Sequence, residues 1–170
     1  MKSVSSAVGA AGYASSVNSI REPYLRALTL VERSHRRLLD VIKEEFDRRG
    51  RADINPVQAL MLYNIGDQQL CAGELRTRGY YLGTNVTYNL KKLVQLGLLE
   101  QQRSRIDRRS VYIKQTPKGQ EVCEIVEALC LKHACTVEQV GGVNADELAT
   151  LNKLLHRLER FWTDQIIYQM

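Results

Sequence analysis

The chain has 170 residues, 25% of them charged and 44% from the apolar set AVILMFWYC, a balance that suits one globular domain with a core of its own. Three prolines and eleven glycines exclude collagen-like and proline-rich linker classes, and no apolar run approaches the roughly 18 residues that a membrane-spanning helix needs. Lys and Arg number 24 against 19 Asp and Glu, a net charge of +5 that identifies no partner until its location is known.

Met1 to Ser19 is rich in Ser, Ala, Gly and Val. Its one early cation is Lys2, and Gly9 and Gly12 interrupt the apolar stretch, so a secretion leader is not expected. The expectation is a flexible arm over residues 1–19. From Pro23 to about Arg49, Tyr24, Leu28, Val31, His35, Leu38, Ile42 and Phe46 recur at helical spacing, and Gly50 closes the helix. His35 reads as a core or interface residue, because one histidine makes no metal site. Asn55-Pro56-Val57-Gln58 carries a capping Asn, a first-turn Pro and a Gln able to complete the box, and Gly66 ends that helix. Leu70 is expected to make one extended pairing residue.

Ala72 to Arg78 predicts a short helix stopped by Gly79, and a second runs from Thr84 to near Leu96, with Gly97 as its terminal glycine. This is a helix-turn-helix pattern. The period then changes. Leu98 to Arg103 and Ser110 to Gln115 predict two strands around a polar tip, Ser104 to Arg109, which makes a winged helix. Thr116-Pro117 opens a helix with Val122, Ile125, Val126, Leu129 and Cys130 on one face, expected to run to about Val140 before Gly141-Gly142. Asn144 to Glu147 starts the last helix, whose stripe is Leu148, Leu151, Leu155, Leu158 and Trp162, widened by Leu154, Phe161 and Ile166. Such a face needs a partner. The expected layout is a mainly α chain with a small β-hairpin wing: a helical dimerisation region over 20–50 and 117–168, and a winged helix-turn-helix over 53–116.

The charge is concentrated. Residues 72–118 hold ten Lys and Arg against three acids, Glu74, Glu100 and Asp107, a net +7, and the rest of the chain is −2. Arginines at 103, 105, 108 and 109 cluster about the hairpin tip, where they repel one another without a polyanion. On the wheel of the Thr84 helix, Val86, Leu90, Leu93 and Val94 form the buried side. Thr84, Asn85, Thr87, Tyr88, Lys91, Lys92 and Gln95 offer hydroxyl, amide and ammonium groups elsewhere, and no acid lies between Arg76 and Lys91. These groups suit base edges and phosphates in a major groove. Asn85 is placed to read adenine, the lysines to hold phosphate, and Arg103, Arg105, Arg108 and Arg109 to enter an adjacent minor groove.

Other chemistry finds little support. Cys71, at a helix start, is the candidate redox thiol, whereas Cys123 and Cys130 are expected to pack on one helical face. Cys130-x-x-His133-x-Cys135 suggests a metal, but on a continuous helix Cys135 points about 140° away from Cys130. No phosphate loop, nucleophile elbow or acid–base pair is present, so neither an enzyme nor a cofactor or metal is expected. The alternative to a DNA regulator is a winged-helix module for protein interaction and dimerisation.

The sequence resembles the MarR family of bacterial regulators. Asp107-Arg108-Arg109-Ser110, continuing through Ile113 to Thr116-Pro117-Lys118-Gly119, is similar to the family's D-x-R-(S/A/G) wing and the T-x-x-G that follows. Leu70 through Glu74-Leu75 resembles the family's L-T-x-x-E-L-A helix start, and Asn85-Val86-Thr87 through Leu93 to Gly97-Leu98-Leu99 its recognition helix and exit. More narrowly, Arg78 to Lys92 resembles LdtR-type regulators of alphaproteobacteria, which implies control of an L,D-transpeptidase and of cell-wall remodelling. The family resemblance implies a cytoplasmic homodimer on a roughly palindromic double-stranded site, with Asp107 bracing the wing and no role at the membrane. It also implies a small aromatic effector bound between the dimer helices and the winged helix, where Tyr24, His35, Phe46, Leu62 and Tyr63 are the candidate lining. Two departures stand out: Gln115 replaces a usual apolar strand residue, and Cys71 a usual capping Thr.

Overall fold

A computed structural model describes residues 5–71, 74, 84–103 and 111–168, without the side chains of residues 5–18, 71, 84, 85 and 103. Helix α1 runs from Ser5 to Arg48 with Pro23 inside it. The helix therefore reaches back over the segment expected as a flexible arm. Proline's locked φ fits a helix, so Pro23 removes one amide donor without ending it. The alanines at 7, 10, 11 and 14 favour helix against the cost of Gly9 and Gly12. Among the described side chains of α1, deep burial is confined to its C-terminal end, through Ile42 and Phe46, while Leu25, Leu30, Val31 and Leu38 face outward. Glu45, also buried, is paired with Arg48 and, at 2.6 Å, with Arg49.

Helix α2, Pro56–Ile65, opens on the expected capping box: Gln58 N–H donates to Asn55 Oδ1 at 2.9 Å, and Asn55 N–H to Gln58 Oε1 at 3.2 Å. Strand β1 is Leu70–Cys71, helix α3 is Thr84–Gln95, and strands β2 and β3 are Leu99–Arg103 and Val111–Gln115. The sheet order is β1-β3-β2, antiparallel throughout, with Leu70 opposite Ile113 and Leu99 opposite Gln115. Leu70 thus adds a third strand to the hairpin, as its isolated apolar position predicts. One core joins these elements, built around Met61, Leu62, Ile65, Leu93, Leu98, Leu99 and Val122.

Helix α4, Pro117–Ala134, starts at Thr116, whose Oγ1 accepts from Gly119 N–H at 3.1 Å. It stops well short of the expected end near Val140. Thr136 N–H bonds His133 O at 3.0 Å, a three-residue step that tightens the last turn, and Thr136 Oγ1 donates to the Lys132 and His133 carbonyls. A separate short helix, α5, covers Val137–Gly141, and Gly142 ends it with φ 66°. Helix α6, Ala145–Tyr168, opens on a second capping box between Asn144 and Glu147. None of its residues is buried. Among the described residues, no helix is long and apolar enough to cross a membrane.

Candidate nucleic-acid interface

Helix α3 presents two chemically distinct sides. Val86, Asn89, Leu90 and Leu93 are buried, while Thr87, Tyr88, Lys91, Lys92 and Gln95 are exposed, Tyr88 at 65%. The outer groups donate and accept hydrogen bonds and carry two positive charges, with no carboxylate among them. That combination suits a polyanion with hydrogen-bonding edges.

The end of α3 is fixed. Leu98 N–H reaches Leu93 O at 2.9 Å and Gly97 N–H reaches Val94 O at 3.0 Å, with Gly97 at φ 70°, a glycine-terminated helix end. The chain leaving it is clamped to the start of α4. Thr116 N–H donates to Leu98 O at 3.1 Å, Thr116 Oγ1 to Gly97 O at 2.6 Å, and Lys118 Nζ to Leu96 O at 3.0 Å. Gly119 lies so close that a Cβ there would sit 2.2 Å from Leu98 O. Two buried amides complete the frame. Gln58 Nε2 donates to Asn89 Oδ1 at 3.2 Å, and Gln115 Nε2 to Leu62 O at 2.7 Å. Gln115, a polar residue on the buried side of the strand, therefore joins β3 to the last turn of α2.

Residues 54–119 match the family model described as a winged helix DNA-binding domain. The chain is 32% identical over 145 residues to the exopolysaccharide II synthesis transcriptional activator ExpG of Rhizobium meliloti strain 1021, covering 85% of this chain and 74% of the relative. A cysteine-to-serine mutant of MarR from E. coli, complexed with operator DNA, is 25% identical with a TM-score of 0.63, over 84% of this chain and 96% of that one. The chain belongs to the MarR family. It is a DNA-binding transcription regulator of the winged-helix class. The fold is also shared with Bordetella bronchiseptica BpsR, whose DNA binding is regulated by 6-hydroxynicotinic acid; there the TM-score is 0.63 at 18% identity, over 79% of this chain and 98% of BpsR.

Within this MarR-family frame, Thr84 and Asn85 form the first turn of α3, their side chains outside the described residues, and Thr87, Tyr88, Lys91 and Lys92 stand on its exposed surface. Arg103 ends β2 opposite Val111. Arg105, Asp107, Arg108 and Arg109 lie outside the described residues, as does the helix expected from Ala72 to Arg78 apart from Glu74. Cys71 pairs with Tyr112 in the sheet. Cys123 is half-buried and burial pushes its thiol up to about 11, whereas Cys130, expected to pack beside it, is exposed like Cys135.

The five residues expected to line an effector cleft are spread over different environments. Phe46 and Leu62 are core residues, 3% and 0% exposed. Tyr24 accepts a hydrogen bond from Trp162 Nε1 at 3.1 Å, and His35 and Tyr63 face outward. Sequence reasoning missed the burial of Asn89 and its bond to Gln58, which it had assigned to the capping box alone. A polar side chain on the apolar side of the α3 wheel was the available signal.

Proposed function

We propose that the chain works as a homodimer that binds a roughly palindromic double-stranded DNA site, inserting α3 of each subunit into successive major grooves. The arginine-rich hairpin tip enters the neighbouring minor groove, and Asp107 braces it. The observation that carries this reading is the acid-free outer face of α3 on a helix whose far end is fastened to α4. The exposed stripe of α6 supports two-fold pairing. The regulation of BpsR by 6-hydroxynicotinic acid supports a small aromatic effector, which acts by changing the spacing or tilt of the paired helices. The relative from Rhizobium meliloti activates exopolysaccharide synthesis, and the LdtR-type resemblance points to cell-wall remodelling. Genes of cell-surface polymers are accordingly the proposed targets, controlled from the cytoplasm.

The test is selection of bound sequences from random duplexes, followed by salt titration of the winning duplex and its shuffled counterpart. Two half-sites about 34 Å apart are expected, with log affinity falling linearly as log salt rises. Equal affinity for selected and shuffled duplexes would remove base reading from the account.

A further inference from the structure

Asn89 interrupts an otherwise apolar inner side of α3. It is 8% exposed, and its partner Gln58 is 4% exposed. The two lie 31 positions apart in the chain, and the bond between them is buried. Gln58 uses both ends of its amide. Its Oε1 accepts from Asn55 N–H at the start of α2, and its Nε2 donates to Asn89 Oδ1 in the middle of α3. The capping box that starts one helix thus extends directly to the other.

Apolar contacts hold a helix against a core but tolerate small rotations about its axis. A buried amide pair does not, because rotation strips a donor and an acceptor of their partners. The geometry sets the stakes. A side-chain tip about 6 Å from the helix axis moves about 2 Å when the helix turns by about 20°. Such a displacement breaks hydrogen bonds to base edges, while long lysine side chains can still reach phosphate. We infer that Gln58 and Asn89 are positioning residues for base reading: the bond between them fixes the rotation of α3, and with it the base preference of residues that touch DNA. This rests on the proposed insertion of α3 in the major groove.

The experiment measures the ratio of affinities for the selected duplex and its shuffled counterpart, together with Tm, in the full-length dimer. Asn89→Leu should lower the ratio about a hundredfold, the loss of one good base contact in each of the two half-sites, and change shuffled-duplex affinity by less than about twofold. Adding Gln58→Met removes the orphaned donor but also the acceptor of Asn55 N–H, so Tm should recover only in part while the ratio stays low. Asn89→Asp keeps an acceptor for Gln58 Nε2, so it should preserve the ratio even though its charge weakens binding to both duplexes. A wild-type ratio in Asn89→Leu or in the double variant overturns the inference. So does a loss in Asn89→Asp as large as in Asn89→Leu. Failure of the underlying DNA reading looks different: the unmodified chain itself would not distinguish the two duplexes.

Discussion

Gly119 shows how one missing side chain can govern the approach of two working parts. Its virtual Cβ would meet the Leu98 carbonyl at 2.2 Å, and the obstacle is backbone, which cannot swing aside. Gly119→Ala must therefore separate the exit of α3 from the start of α4 and weaken the bonds of Thr116 to Gly97 and Leu98. The expected cost is about 1–3 kcal/mol, as for other overpacked sites, with a Tm drop of about 2–4 °C for each kcal/mol. Gly141→Ala is the control, because its Cβ would meet only Val137 Cγ2 at an ordinary 3.5 Å. Equal thermal shifts in the two variants would show that the close approach at Gly119 does not matter. Gln115 makes a related point: an amide in an apolar position is stable there because it donates to Leu62 O and lies beside the Cys123 thiol.

Helix α3 combines a buried inner face with an exposed outer one, and the proposed role of the two lysines on it is to hold phosphate. Lys91→Ala and Lys92→Ala should each reduce the slope of log affinity against log salt by about 1.8, one phosphate contact in each of the two subunits, weakening selected and shuffled duplexes alike. An unchanged slope would move the lysine in question off the phosphate backbone. The outer face of α3 was legible in the sequence because helical period alone sorts it. The starts of α2, α4 and α6 were legible for a similar reason: a cap is settled within four residues, as at Asn55–Gln58, Thr116–Gly119 and Asn144–Glu147. What could not be read depends on neighbours distant in the chain or on competing local signals. The role of Asn89 needs Gln58, and that of Gln115 needs the carbonyl of Leu62. Pro23 carried a helix-start signal inside a helix that begins at Ser5, and the turn at Thr136 ends α4 before the glycine pair that sequence favours as its stop.

The winged helix has a closed core, whereas the long helices around it do not. Leu25, Leu30 and Leu38 of α1 and Leu151, Leu154, Leu155, Phe161, Ile166 and Ile167 of α6 all remain exposed, and α6 is tied to α1 by the hydrogen bond from Trp162 to Tyr24. A helix of 24 residues with none buried gains little from tertiary packing within its own chain. Its apolar stripe is large enough to demand a cover, and in the proposed homodimer a second copy would supply a matching stripe under two-fold symmetry. Light scattering should therefore give twice the 19.4 kDa chain mass, and Tm should rise with protein concentration because folding and pairing are linked. Leu151→Glu combined with Leu155→Glu puts two carboxylates on one turn-spaced face of α6, so the mass should fall to that of one chain. Affinity for a selected two-half-site duplex should fall with it, since each half-site is then bound without the effective concentration that a tethered second reader provides. Affinity for a single half-site should change far less, because the substitutions lie on α6 and leave α3 with its core and clamp. A variant that stays at double mass would place the subunit interface elsewhere. One that becomes monomeric yet holds the two-half-site duplex undiminished would show that pairing through α6 does not set the distance between the two readers.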